Sequence, residues 1–336
     1  MTAAPRGTSW LIGGYGPDMD GTGTGIYLAH GTDRGDLEIE GLAIEAPSPS
    51  FLAQRGDHVY AALEGAGRVE SFAVVGDSLV RDGAAPSGGT WPCQLEFLDR
   101  QLVAANYFTG TLGVVGLDAA GAVAALGQVV QDSGSGPRAE QDGPHAHAAF
   151  RVDEHTLLGL DLGSDRIEVH SIGTDGLVLG TPVVLAAGTG PRDIARHSSG
   201  LLYVLGELSG ELLVFKWSGG VLDRVASVPL PGADAGDHAS GISFGPGGFV
   251  YVGLRGSQRI SVLHASTDGR AVEPIGSVSS EGDWPRHHAV DGDLLHVANQ
   301  QSDSIASFRL GGDGIPRLVA DPVPVPAPTF LLARRG

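Results

Sequence analysis

The chain is short of the residues that staple a fold, bind polyanions or span a bilayer. Cys93 is its only cysteine, which excludes an intramolecular disulfide framework and suits a reducing compartment. Lys216 is the only lysine; the other basic residues are arginines, 21 basic against 39 acidic, for a formal net charge of −18. That balance repels polyanions, so neither nucleic acid nor an anionic membrane surface is an expected partner. No apolar run approaches the ~20 residues that cross a bilayer. The opening MTAAPRGTSWLIGGYG lacks the apolar core of a secretory signal. A cytoplasmic protein is expected. Long segments of helical amphipathic period are missing too, and aromatic residues make up only 6%.

What the chain has in quantity is glycine (53), proline (20) and 42% hydrophobic residues, enough for many turns around a sizeable core. It also repeats itself. HVYAALEGAGRVESFAV (58–74), QLVAANYFTGTLGVVGL (101–117), TLLGLDLGSDRIEVHSI (156–172), LLYVLGELSGELLVFKW (201–217), FVYVGLRGSQRISVLHA (249–265) and LLHVANQQSDSIASFRL (294–310) align without gaps. Each is an apolar run, a polar turn and an alternating segment, which reads as a β-hairpin. Val69, Leu112, Ile167, Leu212, Ile260 and Ile305 fall in one column.

Before most hairpins a proline opens a further strand, at Pro49, Pro92, Pro144, Pro191, Pro285 and Pro328, and one unit without it starts near Ala239. The spacing of roughly 47 residues suits four-stranded propeller blades. The N-terminus supplies a hairpin without a preceding strand, and PAPTFLL near the C-terminus a strand without a hairpin. Joined, they complete a ring and remove its exposed edges. The expectation is an all-β, seven-bladed β-propeller, four antiparallel strands per blade, as one domain over residues 1–336.

In such a fold the first strand of each blade lines the central channel. Those strands carry His145, His147, Arg192, Arg286, His287 and His238. His145 and His147, two apart on a strand, are expected on one face. Two Pro-Arg steps at one register, at Arg192 and Arg286, gather positive charge that calls for an anion or an acidic partner. The ends of the second strands carry Leu63-Glu64, Asn106-Tyr107, Asp161-Leu162, Gly206-Glu207, Leu254-Arg255 and Asn299-Gln300. Asn106, Asp161 and Asn299 read either as ligand contacts or as Asx caps of the following turns. Glu64 reads as solvated or paired with an arginine. His58, His155 and His197 fall in connections and are expected at the surface. The connection QDSGSGPRAEQDG (131–143) reads either as a lid, with Arg138 and Gln141 reaching a ligand, or as an ordinary solvated loop. His-x-His also suits zinc or copper, but a rim that gathers Arg192, Arg255 and Arg286 is a poor place for a cation. No metal or cofactor is expected.

GSGPRAEQDGPHAH (134–147), DLGSDRIEVH (161–170), GPRDIARHSSGLLYVLGELSGELLVF (190–215) and WPRHHAVDGDLLHVANQQSDSIASF (284–308) follow in order on consecutive units. Over nearly its whole length the chain resembles the seven-bladed lactonase family, which includes cycloisomerase-type 6-phosphogluconolactonases and carboxy-muconate cyclases. The resemblance implies a histidine of the P-H-x-H strand (His145 or His147), Arg192, Glu207 and a further arginine (Arg255 or Arg286) as active-site groups. Asn106, Asp161, Asn299 and Gln141 join Arg255 and Arg286 as expected substrate contacts. Asp193, Leu254 and Gly241 stand where the family commonly has His, Asn and Glu, departures that bear on which ligand is taken and whether it is turned over. The implied activity is hydrolysis of a sugar δ-lactone, foremost 6-phosphogluconolactone, by histidine-activated water with arginines on the anion. A muconate-type cyclase and a non-catalytic metabolite-binding propeller are the alternatives. The expected partner is a small anionic lactone, and the expected state a monomer or weak oligomer.

Overall fold

A computed structural model describes residues 7–174 and 176–334. The first residues of the opening segment, and the outermost bounds of the expected single domain, lie outside the described residues. Seven antiparallel sheets follow one another in a ring, two of them with a short extra strand. Blades one to six occupy residues 49–86, 92–131, 146–184, 191–229, 238–279 and 285–324. The seventh takes its first strand, Pro328–Ala333, from the C-terminus and its other three from residues 9–45. Pro328–Ala333 pairs with Ser9–Gly14, so both chain ends close the ring. Among the described residues no helix is long and apolar enough to cross a membrane.

The apolar runs mark the second strands. His58–Leu63, Gln101–Asn106, Thr156–Asp161 and Leu294–Asn299 are buried on both faces after their first residue. Each sheet is stacked between two neighbours, which is why these runs do not alternate. Seven apolar clusters result, the largest around Tyr203, Leu212, Val252 and Leu254. Near the axis the blades converge, and space decides residue size. A Cβ on Gly13 would stand 2.1 Å from the Pro49 carbonyl oxygen, and one on Gly253 2.8 Å from that of Pro285.

Among the described residues the innermost strands share no backbone ladder, and side chains stitch them together. The Gln94 amide accepts from Ala149 N–H and donates to its carbonyl. Ser240 Oγ donates to the Pro285 carbonyl, and Thr329 Oγ1 to that of Ser50.

Two expectations need correction. Pro49, Pro92, Pro191, Pro285 and Pro328 each open a strand, whereas Pro144 lies two residues ahead of Ala146–Asp153. Ala146 holds the proline position there, because pairing of Ala146 with Asp161 matches that of Pro92 with Asn106. His197, expected at the surface, is buried and stacked on Tyr203 (ring centroids 5.6 Å apart). His58 is half-buried against Asp82, and His155 is exposed.

Where blade three meets blade two, Asp132, Asp161 and Glu168 are buried close together, and Asp132 Oδ1 and Glu168 Oε2 have no hydrogen-bond partner among the described residues. Burial, then Asp161 and Glu168, push the Asp132 carboxyl up to about 8. The folded state therefore holds a proton that the unfolded chain releases near pH 4, and stability falls as pH rises from there through about 8. Asp132→Asn is expected to raise Tm by several degrees at pH 8 and by less at pH 5. Equal shifts at both pH values in thermal melts would refute that account.

Candidate active site

Every innermost strand begins with the same irregularity. Pro49 pairs with Leu63 and Phe51 with Ala62, leaving Ser50 as an extra residue. The same register shift sets off Cys93, His147, Arg192, Arg286 and Thr329, and in blade five it falls at Ser240. A β-bulge turns its extra residue out of the pleat and re-aims the side chain. All seven of these residues line one cavity of about 370 Å³ in the central channel. The bulge explains why His145 and His147 do not share a face. His147 is the bulged residue, and His145 precedes the strand. His145 stacks on Tyr107 (4.6 Å), and its ring nitrogens meet the Tyr107 carbonyl (2.9 Å) and Asp142 (3.0 Å). It does not line the cavity.

A second ring lies just outside the first, formed by the residue that follows each second strand. Its members are Tyr15, Glu64, Tyr107, Leu162, Glu207 and Gln300, with Arg255 at the equivalent position. The backbone N–H groups of the first six donate to the carbonyls of Ala327, Ser48, Trp91, His145, Gly190 and Trp284 respectively. Five of those acceptors immediately precede a proline and have φ between 36° and 62°. Residues before proline prefer extended backbone, so the ring contacts hold these five in a conformation that the local sequence disfavours.

The two rings bring three guanidiniums and two carboxylates together. Glu207 accepts from Arg192 Nη1 (2.6 Å) and His238 Nδ1 (2.9 Å) and forms an ion pair with Arg255 Nη2 (2.8 Å), whose guanidinium donates to the His238 and Ala239 carbonyls. Arg192 Nε donates to the Ser240 carbonyl, and among the described residues its Nη2 has no protein acceptor. Trp284 lies under the Arg255 guanidinium at 5.5 Å. On the other side of the channel Arg286 donates to the Tyr15 hydroxyl, which donates to Glu64 Oε1 (2.8 Å). Arg286 Nη2 stands 3.7 Å from Glu64 Oε2.

Burial alone would raise the Glu207 carboxyl; Arg255 and Arg192, with the His238 hydrogen bond, outweigh it and hold the group well below its usual range. Burial and Arg192 draw Arg255 down to about 9, so it stays protonated at neutral pH. Burial, then Arg192, hold the His147 imidazole well below its ordinary value, with Arg286 and Arg255 adding to the effect and Glu207 opposing it. Burial pushes the Cys93 thiol up to about 12. The site is thus a neutral imidazole and a neutral thiol beside three cations and two anions. It has one positive charge to spare and a proton acceptor next to it.

Of the residues expected from sequence, His147, Arg192, Arg286, Glu207 and Arg255 come together here. Four others do not. Asn106 is fully buried and its amide donates to the carbonyls of Ser87, Ala104 and Thr111. Asp161 accepts from the N–H groups of His145, Gly163 and Ser164, and Asn299 donates to the Ser280 carbonyl. These are turn caps, as Asx side chains at strand ends often are. Gln141 is fully buried; it accepts from Arg138 N–H and donates to the Leu162 carbonyl and Asp165, pinning the 131–143 connection down. Arg138 lines a separate cavity. Tyr15 was missed, although Gly14-Tyr15 continues the column of Leu63-Glu64; Ser50, Cys93, Ser240 and Thr329 share the column of Arg192 and Arg286 but were missed, because the bulge that turns them inward shows only in the pairing with the next strand. Among the described residues no group of three or more His, Cys, Asp and Glu side chains is placed to hold a metal ion.

A closed seven-bladed ring with an Arg/His/Glu cluster at its axis defines the class. The family model "Lactonase, 7-bladed beta-propeller" matches residues 9–333, and the chain belongs to that family. It is 26% identical over 337 residues to the 6-phosphogluconolactonase of Bacillus subtilis (strain 168), covering 94% of this chain and 97% of that protein. It is 30% identical over 315 residues to an uncharacterised protein of Lactococcus lactis subsp. cremoris, covering 89% and 91%. The solved structure of a 6-phosphogluconolactonase-like protein from Bacteroides fragilis matches with a TM-score of 0.90 at 25% identity, over 99% of both chains. A Lactobacillus plantarum protein matches with a TM-score of 0.88 at 28% identity, over 97% and 98%.

Proposed function

We propose that this chain hydrolyses a sugar δ-lactone bearing an anionic group, with 6-phosphogluconolactone as the foremost substrate. One observation carries the reading: three guanidiniums opposed by two carboxylates surround an imidazole kept neutral, at a channel cavity of about 370 Å³. The similarity to a B. subtilis 6-phosphogluconolactonase supports it.

In this mechanism His147 takes a proton from water as it attacks the lactone carbonyl carbon. Arg192 Nη2 stabilises the oxyanion as the carbonyl π bond opens. Collapse of the tetrahedral intermediate breaks the ring C–O bond, and the His147 imidazolium returns its proton to the departing alkoxide. Arg286 receives the anionic substituent. Glu207 fixes Arg192 and Arg255 in place without acting as a base, because Arg192 and His238 donate to its carboxylate and Arg255 is ion-paired with it.

The arginines that lower the His147 pKa are partly neutralised when an anionic substrate binds, so binding strengthens the base. Because the free enzyme keeps His147 unprotonated below its ordinary range, the acid limb of kcat/KM is expected below pH 6.5, with that of kcat displaced upward. A kcat/KM acid limb at or above the ordinary imidazole value would exclude His147 as the base. The function is tested by acid release from 6-phosphoglucono-δ-lactone by purified protein against the uncatalysed blank. No acceleration sinks this substrate, and binding without turnover leaves a metabolite-binding propeller.

A further inference from the structure

Beyond the ring of bulged residues, the same cavity continues along the channel past Asp193, His287 and Glu96. The mechanism uses none of the three. His287 Nδ1 accepts from Leu331 N–H at 3.1 Å, which leaves the ring proton on Nε2. Among the described residues that Nε2 has no protein acceptor. Burial, with His288 beside it, draws the imidazole down to about 3, so the ring is a neutral donor. Asp193 accepts one backbone bond on each oxygen, from Ile194 and Ile242, both at 2.9 Å. A carboxylate offers about four acceptor sites, and two remain. Burial raises its pKa against those bonds. Glu96 is partly exposed to the cavity, and burial pushes its carboxyl up to about 7.

One wall of this half is aromatic. His287 lies 4.0 Å from the Phe330 ring, and Phe330 lies 4.3 Å from Phe51. Opposite it, Gly241 leaves Asp193 uncovered, since a Cβ there would stand 3.5 Å from Oδ2. Among the described residues the arginines that line the cavity are Arg192 and Arg286, both in the ring of bulged residues. The cavity is therefore cationic at one end. At the other it offers a donor, acceptors and flat apolar faces, the combination that suits the hydroxyl groups and C–H faces of a sugar ring or polyol chain.

We propose that Asp193, His287 and Glu96 form a hydroxyl-binding subsite, walled by Phe51 and Phe330, that makes the enzyme selective for lactones hydroxylated around the ring over equally charged deoxy lactones. The inference rests on the lactonase reading for its reaction. Its recognition chemistry is separate, because polar groups built to bind hydroxyls are left unpaired by a ligand without them.

The test compares kcat/KM for 6-phosphoglucono-δ-lactone with that for a phosphorylated δ-lactone lacking ring hydroxyls, in the wild type, Asp193→Asn and Gly241→Ala. Asp193 bridges blades four and five and its replacement risks the fold. Gly241→Ala does not: the added Cβ meets its neighbours at ordinary van der Waals distance and simply covers the carboxylate. The wild type is expected to prefer the hydroxylated lactone by about 100-fold. Each variant is expected to cut that preference about tenfold, mainly through KM for the hydroxylated substrate. A preference that survives in a folded Gly241→Ala protein, or equal losses on both lactones, overturns the subsite. If the wild type hydrolyses neither lactone, the lactonase reading fails and calorimetry takes over, with 6-phosphogluconate against a phosphorylated hexanoate. Tighter binding of the hydroxylated acid, weakened in Gly241→Ala, upholds the subsite; equal or absent binding of the two acids overturns it.

Discussion

His147→Gln is expected to lower kcat on 6-phosphoglucono-δ-lactone by about 100- to 10,000-fold, the range that a positioned general base supplies. His145→Gln is expected to cost far less. The two histidines are neighbours in the chain, yet only His147 is the bulged residue that enters the cavity. His145 is spent on Tyr107 and Asp142. Both variants should remain folded, because the His147 side chain makes no protein hydrogen bond among the described residues, and glutamine keeps a polar group at either position and fills much of the imidazole's volume. Parallel thermal melts and steady-state kinetics decide the matter. If His145→Gln carries the larger loss, the base is misassigned and the bulge has no catalytic meaning. Comparable small losses in both would move the search for the base elsewhere in the ring.

Glu207→Gln is expected to damage the fold more than any other single change at the site. Its carboxylate is the shared counter-ion of Arg192 and Arg255, and both arginines are buried, with side chains 8% and 5% exposed. Removing one partner of a buried ion pair leaves uncompensated charge and costs on the order of 3–5 kcal/mol. Here two cations are left facing each other. The deficit has a specific remedy. Inorganic phosphate can occupy the excess positive charge, so the variant's Tm should rise more steeply with phosphate than the wild type's, by mass action on the folded state. Scanning fluorimetry in phosphate and in chloride at matched ionic strength reads this directly. A Glu207→Gln protein as stable as the wild type would show that the arginines do not depend on this carboxylate. An identical phosphate response in the two proteins would show that the charge excess does not attract anions.

The architecture was legible in the chain because blade formation is a local event repeated. Each apolar run is a strand buried on both faces, each Gly/Ser/Asp turn a hairpin, and Val69, Leu112, Ile167, Leu212, Ile260 and Ile305 are fully buried at equivalent ladder positions. Closure by both termini followed from the two unmatched pieces. The ingredients of the site could also be named, since His147, Arg192, Glu207, Arg255 and Arg286 fall in columns that a ring brings to its axis. Side-chain direction could not be read in this way. The two-residue period of a strand puts His145 and His147 on one face, and a single extra residue in the ladder separates them. Backbone capping likewise claimed Asn106, Asp161 and Asn299, because a buried turn satisfies its carbonyls and N–H groups before any ligand arrives. Sequence by itself determined the blades, their number and the residue types at the axis, because hydrophobic period and turn chemistry act over a few residues. Only the tertiary structure decided which histidine enters the channel, which arginines share Glu207 and how Tyr15 joins Glu64 to Arg286. Apart from Arg192 with Glu207 inside blade four, those pairings cross between blades tens to hundreds of residues apart, and a bulge that re-aims a side chain becomes visible only once its partner strand is in place.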